Sequence, residues 1–538
     1  AVEVTLRDDF GNVVEAADDP VTVEIAEGPG GASLSGTLTV TPTAGVAAFP
    51  DLVIETAGSG YALRAAAGGL VSDPSDAFGV LAGAPAALGF LAQPTVAEGR
   101  EPLDPPVEVE VLDSFGNRVT DATMPVTLSL GADPTEGRAT LSGGADVTAD
   151  ASLGVATFGD LWVDLPGDGF TLDATSGTLL PATSDPFGVR LTFASLGVGF
   201  THTCGVTTAG HPYCWGANGF GQLGDGTVED ADIPVDVSTG GERFAVITAG
   251  FRHTCALTTG GEARCWGANG SGELGDGGTV DAGVPVAVSG GLAFDSIDAG
   301  HHHTCGVTPE EDVYCWGANG SGQLGDGTTT DRHVPTPVDR IGAFPMRSVS
   351  AGEAHTCANG VDPYCWGENG RGQLGAGISG DRDTAVAVQG EPVLITISAG
   401  RRHTCGVNSI DEGYCWGANG SGQLGDGRTE DSASPFLEVE GDLDFATISA
   451  GGGHSCGLTT AGDGHCWGAN AFGQLGDATR TDHLVPVPVR GGHTFTAVGT
   501  GVGHTCGLAT DGVYCWGSND RGQLGDGTTS LRVTPERV

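Results

Sequence analysis

Ala299-Gly300-His301-His302-His303-Thr304-Cys305, followed over residues 314–328 by Tyr-Cys-Trp-Gly-Ala-Asn-Gly-Ser-Gly-Gln-Leu-Gly-Asp-Gly-Thr, is a passage the chain writes seven times with small changes. Its Cys-Trp-Gly element starts at Cys214, Cys265, Cys315, Cys365, Cys415, Cys466 and Cys515. A near-constant period of about 50 residues signals an array of supersecondary units stacked on one another. Each unit reads as four short strands. An apolar strand such as Phe244 to Thr248 leads into Ala-Gly, two variable residues and His-Thr-Cys, which opens the second. The third is Tyr-Cys-Trp-Gly, and a Pro-containing stretch such as Pro335 to Val338 is the last. Four strands per period make one propeller blade. Seven blades predict a closed ring, because an open stack would leave an unpaired strand edge at each end.

All 14 cysteines lie in these units, two to a unit. Cys204/Cys214, Cys255/Cys265, Cys305/Cys315, Cys405/Cys415 and Cys456/Cys466 are ten residues apart, Cys357/Cys365 eight and Cys506/Cys515 nine. Facing residues of an antiparallel hairpin are close enough for a disulfide. Seven intra-blade disulfides are therefore expected, with a bulge needed to bring Cys506 opposite Cys515. Seven such staples imply an oxidising compartment. The competing reading is a metal site at His202, Cys204 and Cys214. It supplies three ligands per blade, one short of a structural zinc site, so no metal is expected.

Composition agrees with an all-β chain. Gly numbers 94 and Pro 28 in 538 residues, while 39% hydrophobic residues leave enough apolar material for packed cores. The formal charge is −46, with 68 acidic residues against 22 basic ones, every one of which is Arg. That field repels phosphate and argues against nucleic acid as a partner. The all-Arg, Ala/Gly/Asp-rich usage suggests a bacterial source with a GC-rich or salt-adapted genome. No run of 18 apolar residues exists, so no membrane-spanning helix is predicted.

The first 190 residues contain a different repeat. Val2, Val4, Leu6 and Phe10-Gly11-Asn12 match Val107, Val109, Val111 and Phe115-Gly116-Asn117. Gly45–Phe49, Gly58–Tyr61 and Ser75–Val80 match Gly154–Phe158, Gly167–Phe170 and Ser184–Val189. Alternation such as Val107-Glu108-Val109-Glu110-Val111 predicts half-buried strands, and Asp-x-Phe-Gly-Asn predicts a turn. Each copy reads as a β-sandwich. Residues 85–106 have no counterpart in the first copy, so that copy is expected to be truncated and the natural protein to extend upstream. The predicted architecture is all-β: two immunoglobulin-like β-sandwich domains over 1–82 (N-terminally incomplete) and 83–190, then a seven-bladed β-propeller over 191–538.

Two resemblances follow from these motifs. His-Thr-x-Gly/Ala-Leu/Val followed by Trp-Gly-x-Asn-x-x-Gly-Gln-Leu-Gly resembles the regulator of chromosome condensation repeat, and the likeness covers residues 193–538. It implies a seven-bladed propeller acting by protein binding; members include a nuclear exchange factor for a small GTPase, secreted bacterial β-lactamase inhibitors and a plant UV-B photoreceptor. Residues 1–190 resemble bacterial immunoglobulin-like repeats of the invasin type, which serve as stalks on surface proteins. Fold alone does not choose among functions.

Residues present in every blade are expected to serve the blade. This reading covers the seven His of His-Thr-Cys, the Trp of Cys-Trp-Gly, and the Gly-Asp-Gly-Thr turns with Asp225, Asp276, Asp326, Asp426 and Asp526, which hold too few oxygens for calcium. No nucleophile motif, phosphate loop or break in the repeat suggests catalysis, so a non-enzyme without cofactor is predicted. Function should sit where the blades differ, at the pair before His-Thr-Cys: Phe200-Thr201, Phe251-Arg252, His301-His302, Glu353-Ala354, Arg401-Arg402, Gly452-Gly453 and Val502-Gly503. Phe200, Phe251, Arg252, His301, His302, Glu353, Arg401 and Arg402 are the candidate binding residues, mixing aromatics with Arg as interface hot spots do. The expectation is a secreted or cell-surface binding protein whose propeller takes a protein partner, the sandwiches acting as spacers. The alternatives are a guanine-nucleotide exchange factor-like regulator of a small GTPase and a polysaccharide or cell-wall binding module. Photoreception is not expected, because the variable pairs carry no Trp.

Overall fold

The computed structural model describes residues 1–142, 147–339, 345–390, 393–435 and 437–538, and among these every regular element is a β-strand. None of the described residues belongs to a helix long and apolar enough to cross a membrane. The chain divides into two compact units, Ala1–Arg190 and Leu191–Val538.

In the second unit, seven sheets follow one another along the chain, each with its strands in sequence order. The sheet nearest the quoted passage runs Ser296–Ala299, His303–Val307, Val313–Gly317 and Arg332–Pro337, all antiparallel. Six sheets have four strands. Among the described residues the fifth has three (Leu394–Ala399, His403–Asn408 and Gly413–Gly417), with the bridges Tyr414–Glu438 and Gly417–Ser432 beside the last. First strands of successive sheets lie beside one another, and Phe193–Val198 of the first also meets Phe495–Thr500 of the last. The arrangement is a β-propeller of seven blades.

Each blade packs on the next through one tryptophan. Trp266 is fully buried against Cys204, Cys214 and Leu223 of the preceding unit and Phe244 of its own, and Trp366 against Cys305, Cys315 and Leu324 of its preceding unit. The last seam repeats the scheme, with Trp215 of the first blade packed on Cys506, Cys515 and Leu524 of the seventh. The Gly of Gln-Leu-Gly is required by this contact. Gly224 has φ +72°, and a Cβ there would lie 2.7 Å from Trp266 Nε1.

All seven disulfides form within their own blades: Cys204–Cys214, Cys255–Cys265, Cys305–Cys315, Cys357–Cys365, Cys405–Cys415, Cys456–Cys466 and Cys506–Cys515. One detail differs from the sequence reading. Cys506 faces Cys515 in an unbroken register from His504–Gly517 to Ala509–Gly512, with no bulge between these strands. A two-residue turn shortens the hairpin without moving the facing pair, because loop length and register change together.

The seven histidines build a circuit. His202 Nε2 lies 2.9 Å from Thr254 Oγ1, and the pattern continues through His253–Thr304 (2.9 Å), His303–Thr356 (2.8 Å), His355–Thr404 (3.0 Å), His403–Ser455 (2.9 Å) and His454–Thr505 (2.9 Å). His504–Thr203, at 3.0 Å, closes it. Each hydroxyl donates to a loop carbonyl, as Thr254 does to Gln222 O (2.8 Å) and Thr203 to Gln523 O (2.9 Å). With its proton committed, the hydroxyl accepts, so the imidazole donates from Nε2–H and is neutral. Six of the seven Nδ1 atoms are buried without a hydrogen bond. The same loop carbonyls accept the indole N–H, as from Trp266 to Gln222 O (2.9 Å) and Trp316 to Glu273 O (2.9 Å).

Burial holds all seven histidines far down, at about 3 for His202, His303, His355 and His454 and about 4 for His253, His403 and His504. In an unfolded chain they titrate near 6.5. Below that pH the unfolded chain gains protons that the folded one refuses, so stability is full above about 6.5 and is lost as pH falls toward the folded values. Per histidine the slope approaches roughly 1.4 kcal/mol per pH unit. We expect the propeller's melting temperature to fall steeply between about pH 6 and 4. Uptake on unfolding should approach one proton per blade, measurable by calorimetry across pH, and His403→Gln should remove one of them. A flat profile over this range would refute the neutral circuit.

Candidate binding face

A Gly follows the first strand of each blade, and in six blades the residue after it is fixed by backbone to the next blade. Phe200 N donates to Gly250 O (3.1 Å), Phe251 N to Gly300 O (3.2 Å), His301 N to Gly352 O (3.1 Å) and Glu353 N to Gly400 O (3.3 Å). Arg401 N to Gly451 O and Gly452 N to Gly501 O, both 3.0 Å, continue the series. The variable pairs therefore stand in one ring on one face, held by main chain and free in side chain. They surround the mouth of an axial cavity of about 250 Å³, whose rim includes Phe200, Phe251, His301, Glu353, Arg401 and Val502.

All eight sequence-predicted residues lie on this face, in two groups. Phe200 and Phe251 meet edge to face at 4.5 Å; Phe251 stacks on His301 at 3.9 Å, and His302 stands 5.3 Å from Phe251 and 4.7 Å from His301. The Arg252 guanidinium lies 4.5 Å from the ring centres of both Phe251 and Phe220, a cation–π sandwich. The second group is ionic. Glu353 Oε2 accepts from Arg401 Nε (3.2 Å) and Arg402 Nε (3.0 Å). The groups adjoin: burial first, then His302, holds His301 down at about 4, with Glu353 pulling upward and Arg401 downward.

Sequence reasoning missed several contributors. Phe220 and Phe472, after Asn-Gly and Asn-Ala in their loops, share this face: Phe220 carries Arg252, and Phe472 flanks Gly503. Arg371 and Arg521 hold the same loop position in their blades. Glu273 replaces the Gln of Gly-Gln-Leu-Gly in one blade only, a break in the repeat that was visible in the sequence. Its Oε2 accepts from Ser271 N (2.7 Å), as the glutamines accept, while Oε1 takes His302 Nδ1 at 3.2 Å. Burial would raise this carboxyl, but the His302 bond, His253 and the backbone outweigh it and hold it below the usual range.

Below the rim, Asp298 lines the cavity where other first strands carry Ser, Thr or Gly. It accepts from Thr248 Oγ1 (2.6 Å) and Ala351 N (2.8 Å), tying the second blade to the fourth. Burial nevertheless raises its carboxyl above the usual range. Ser350 Oγ and Ser398 Oγ accept from Ala399 N and Ala450 N in the same way without charge. Asp298→Ser should therefore preserve the fold. A raised native pKa favours the folded state only at low pH and loses that contribution as pH rises. The variant's stability relative to the parent should thus be higher at pH 7 than at pH 4; the opposite order in paired melts would show that the carboxylate itself is required.

Two family models described as "Regulator of chromosome condensation (RCC1) repeat" match the chain. One matches residues 209–257, 310–358, 412–458, 462–508 and 510–538; the other matches 193–222, 244–273, 294–323, 395–423, 445–474 and 495–523. The ultraviolet-B receptor UVR8 of Arabidopsis thaliana is 34% identical over 116 residues, 21% of this chain and 26% of the receptor. The protein RCC2 homolog of Xenopus laevis is 36% identical over 96 residues, 18% of this chain and 19% of that protein. Sequence similarity thus spans about a quarter or less of these curated relatives. Among solved structures, human WBSCR16 superposes with a TM-score of 0.55 at 21% identity, covering 60% of this chain and 88% of that one. Prp20p of Saccharomyces cerevisiae gives 0.55 at 19% identity, covering 62% and 87%. These likenesses show the β-propeller fold.

Proposed function

The chain belongs to the regulator of chromosome condensation repeat family through the repeats of residues 193–538, and from that premise we propose that it is a non-catalytic binding protein that grips a partner protein at the mouth of its propeller. The observation that carries this reading is the division of labour in each blade. Residues common to the blades are spent on the seams, and the aromatic and charged side chains that differ are gathered on one rim. Seven disulfides support a place outside the reducing cytosol, at the cell surface or in the medium. We read the two copies in residues 1–190 as immunoglobulin-like sandwiches serving as a spacer.

The rim's charges indicate the kind of partner. Arg401 and Arg402 share the single carboxylate of Glu353, Arg371 pairs with Asp431 at 2.8 Å, Arg521 with Asp230 at 3.1 Å, and His302 is bonded to Glu273. Arg252 rests on two aromatic rings and, among the described residues, carries no such carboxylate. In a chain of net charge −46 it is the place for a partner's acidic side chain, desolvated between phenylalanines. The three arginines singled out by sequence are therefore unequal. With the whole chain as bait in its native medium, Arg252→Ala should weaken capture of the partner at least about tenfold, the loss expected of a hot spot. Arg402→Ala should change it far less. Equal capture by the Arg252→Ala chain would sink the assignment, and recovery of purified glycan without protein would favour the polysaccharide reading.

A further inference from the structure

The turn Asp113-Ser114-Phe115-Gly116-Asn117 is a fastening between the two copies of the first unit. Asp113 Oδ1 accepts from Phe115 N (2.8 Å) and Asn117 N (2.9 Å), which sets the turn. Its Oδ2 accepts from Asn117 Nδ2 (2.9 Å) and from Gly83 N (2.7 Å) in the segment joining the copies. The Asn117 amide then reaches into the first copy. Its Oδ1 accepts from Ala57 N (2.8 Å), and its Nδ2 donates to Glu55 O (2.7 Å). One side chain thus satisfies a donor and an acceptor of the neighbouring copy's backbone.

The first copy owns the same turn. Asp8 Oδ1 accepts from Phe10 N and Asn12 N, both at 2.9 Å, and Asp8 Oδ2 from Asn12 Nδ2 at 3.2 Å. The main-chain bond Asp8 N to Asn12 O, 2.9 Å, equals that from Asp113 N to Asn117 O. The fastening is preset, yet Asp8 and Asn12 are both exposed, and Phe10 is 89% exposed against 58% for Phe115. We propose that Asp8–Asn12 is a docking turn for a further unit of this same repeat, whose backbone it takes as Asn117 takes Glu55 and Ala57.

The second copy cannot be that occupant. Its residues equivalent to Glu55 and Ala57 are Asp164 and Pro166, and proline has no N–H to offer Asn12. Chains of this sequence therefore do not join head to tail through this turn, and the occupant is a unit with an amide at the position of Ala57. This inference stands apart from the propeller's binding face.

A fusion tests it directly. Residues 1–106 placed ahead of Val2 present an added unit in the setting that Val107 now has, since Val2 and Val107 are equivalent. Hydrogen exchange should find the added unit's Ala57 amide protected as Ala57 is by Asn117. Asn12→Ala should then speed its exchange about five- to tenfold, the worth of one net hydrogen bond. In the unfused chain the same substitution should leave melting unchanged. An added-unit Ala57 amide that exchanges freely, or one indifferent to Asn12→Ala while Asn117→Ala deprotects its own partner, would overturn the proposal.

Discussion

One closed chain of hydrogen bonds governs the propeller: imidazole N–H to hydroxyl, hydroxyl to loop carbonyl, seven times around, with His504 meeting Thr203 at the seam. A buried polar group left unpaired costs more than a paired one gains, so each blade needs its neighbour to satisfy its histidine and its loop. That requirement fixes the residue types. A charged imidazole could not be buried here, and a bulkier side chain than Thr or Ser would not fit between ring and carbonyl. The indole N–H shares the same acceptors, which couples hydrophobic packing to the polar circuit. At the closing seam Trp215 is packed in the same way, but its Nε1 has no hydrogen bond, so that joint is the least completely satisfied of the seven.

This circuit frees the rim. The turns that display Phe200, Phe251, His301, Glu353 and Arg401 are held to the next blade by main-chain bonds, which any residue can make. Substitution there does not disturb the seams, and the rim can carry an aromatic stack on one side and an ion triad on the other. Beneath the rim, one repeated position departs from the others. Glu273 keeps the glutamine's bond to the loop and adds one to His302.

Much of this was legible in the sequence because the same constraint is written seven times. The number of blades, the intra-blade disulfides and the ring of variable pairs follow from period and position alone. The missing parts depend on relations between blades that a single repeat does not display. Phe220 contributes because it lies under Arg252 of the next blade, a contact across 32 positions of sequence. Asp298 is a carboxylate among hydroxyls and glycines, visible only once first strands are seen to line a common axis. The bulge expected at Cys506 and Cys515 was an error about turns: a shortened hairpin keeps its facing residues when the loop absorbs the change. In the first unit the alternating strands were legible, and the two copies differ in how deeply those strands are covered. Val107, Val109 and Val111 are fully buried next to Ala87–Ala92, whereas Val2 and Val4 are only partly covered.

Every cysteine is joined to its nearest cysteine neighbour in sequence, within one hairpin and never across a seam. Covalent closure is therefore local, and the wheel as a whole is held by packing and hydrogen bonds alone. Each module can oxidise by itself as it folds, with the correct partner always the closest thiol and no bond waiting for the last blade. The same locality leaves the number of modules covalently unconstrained, so a duplicated or deleted unit would carry its own crosslink with it and strand no cysteine elsewhere.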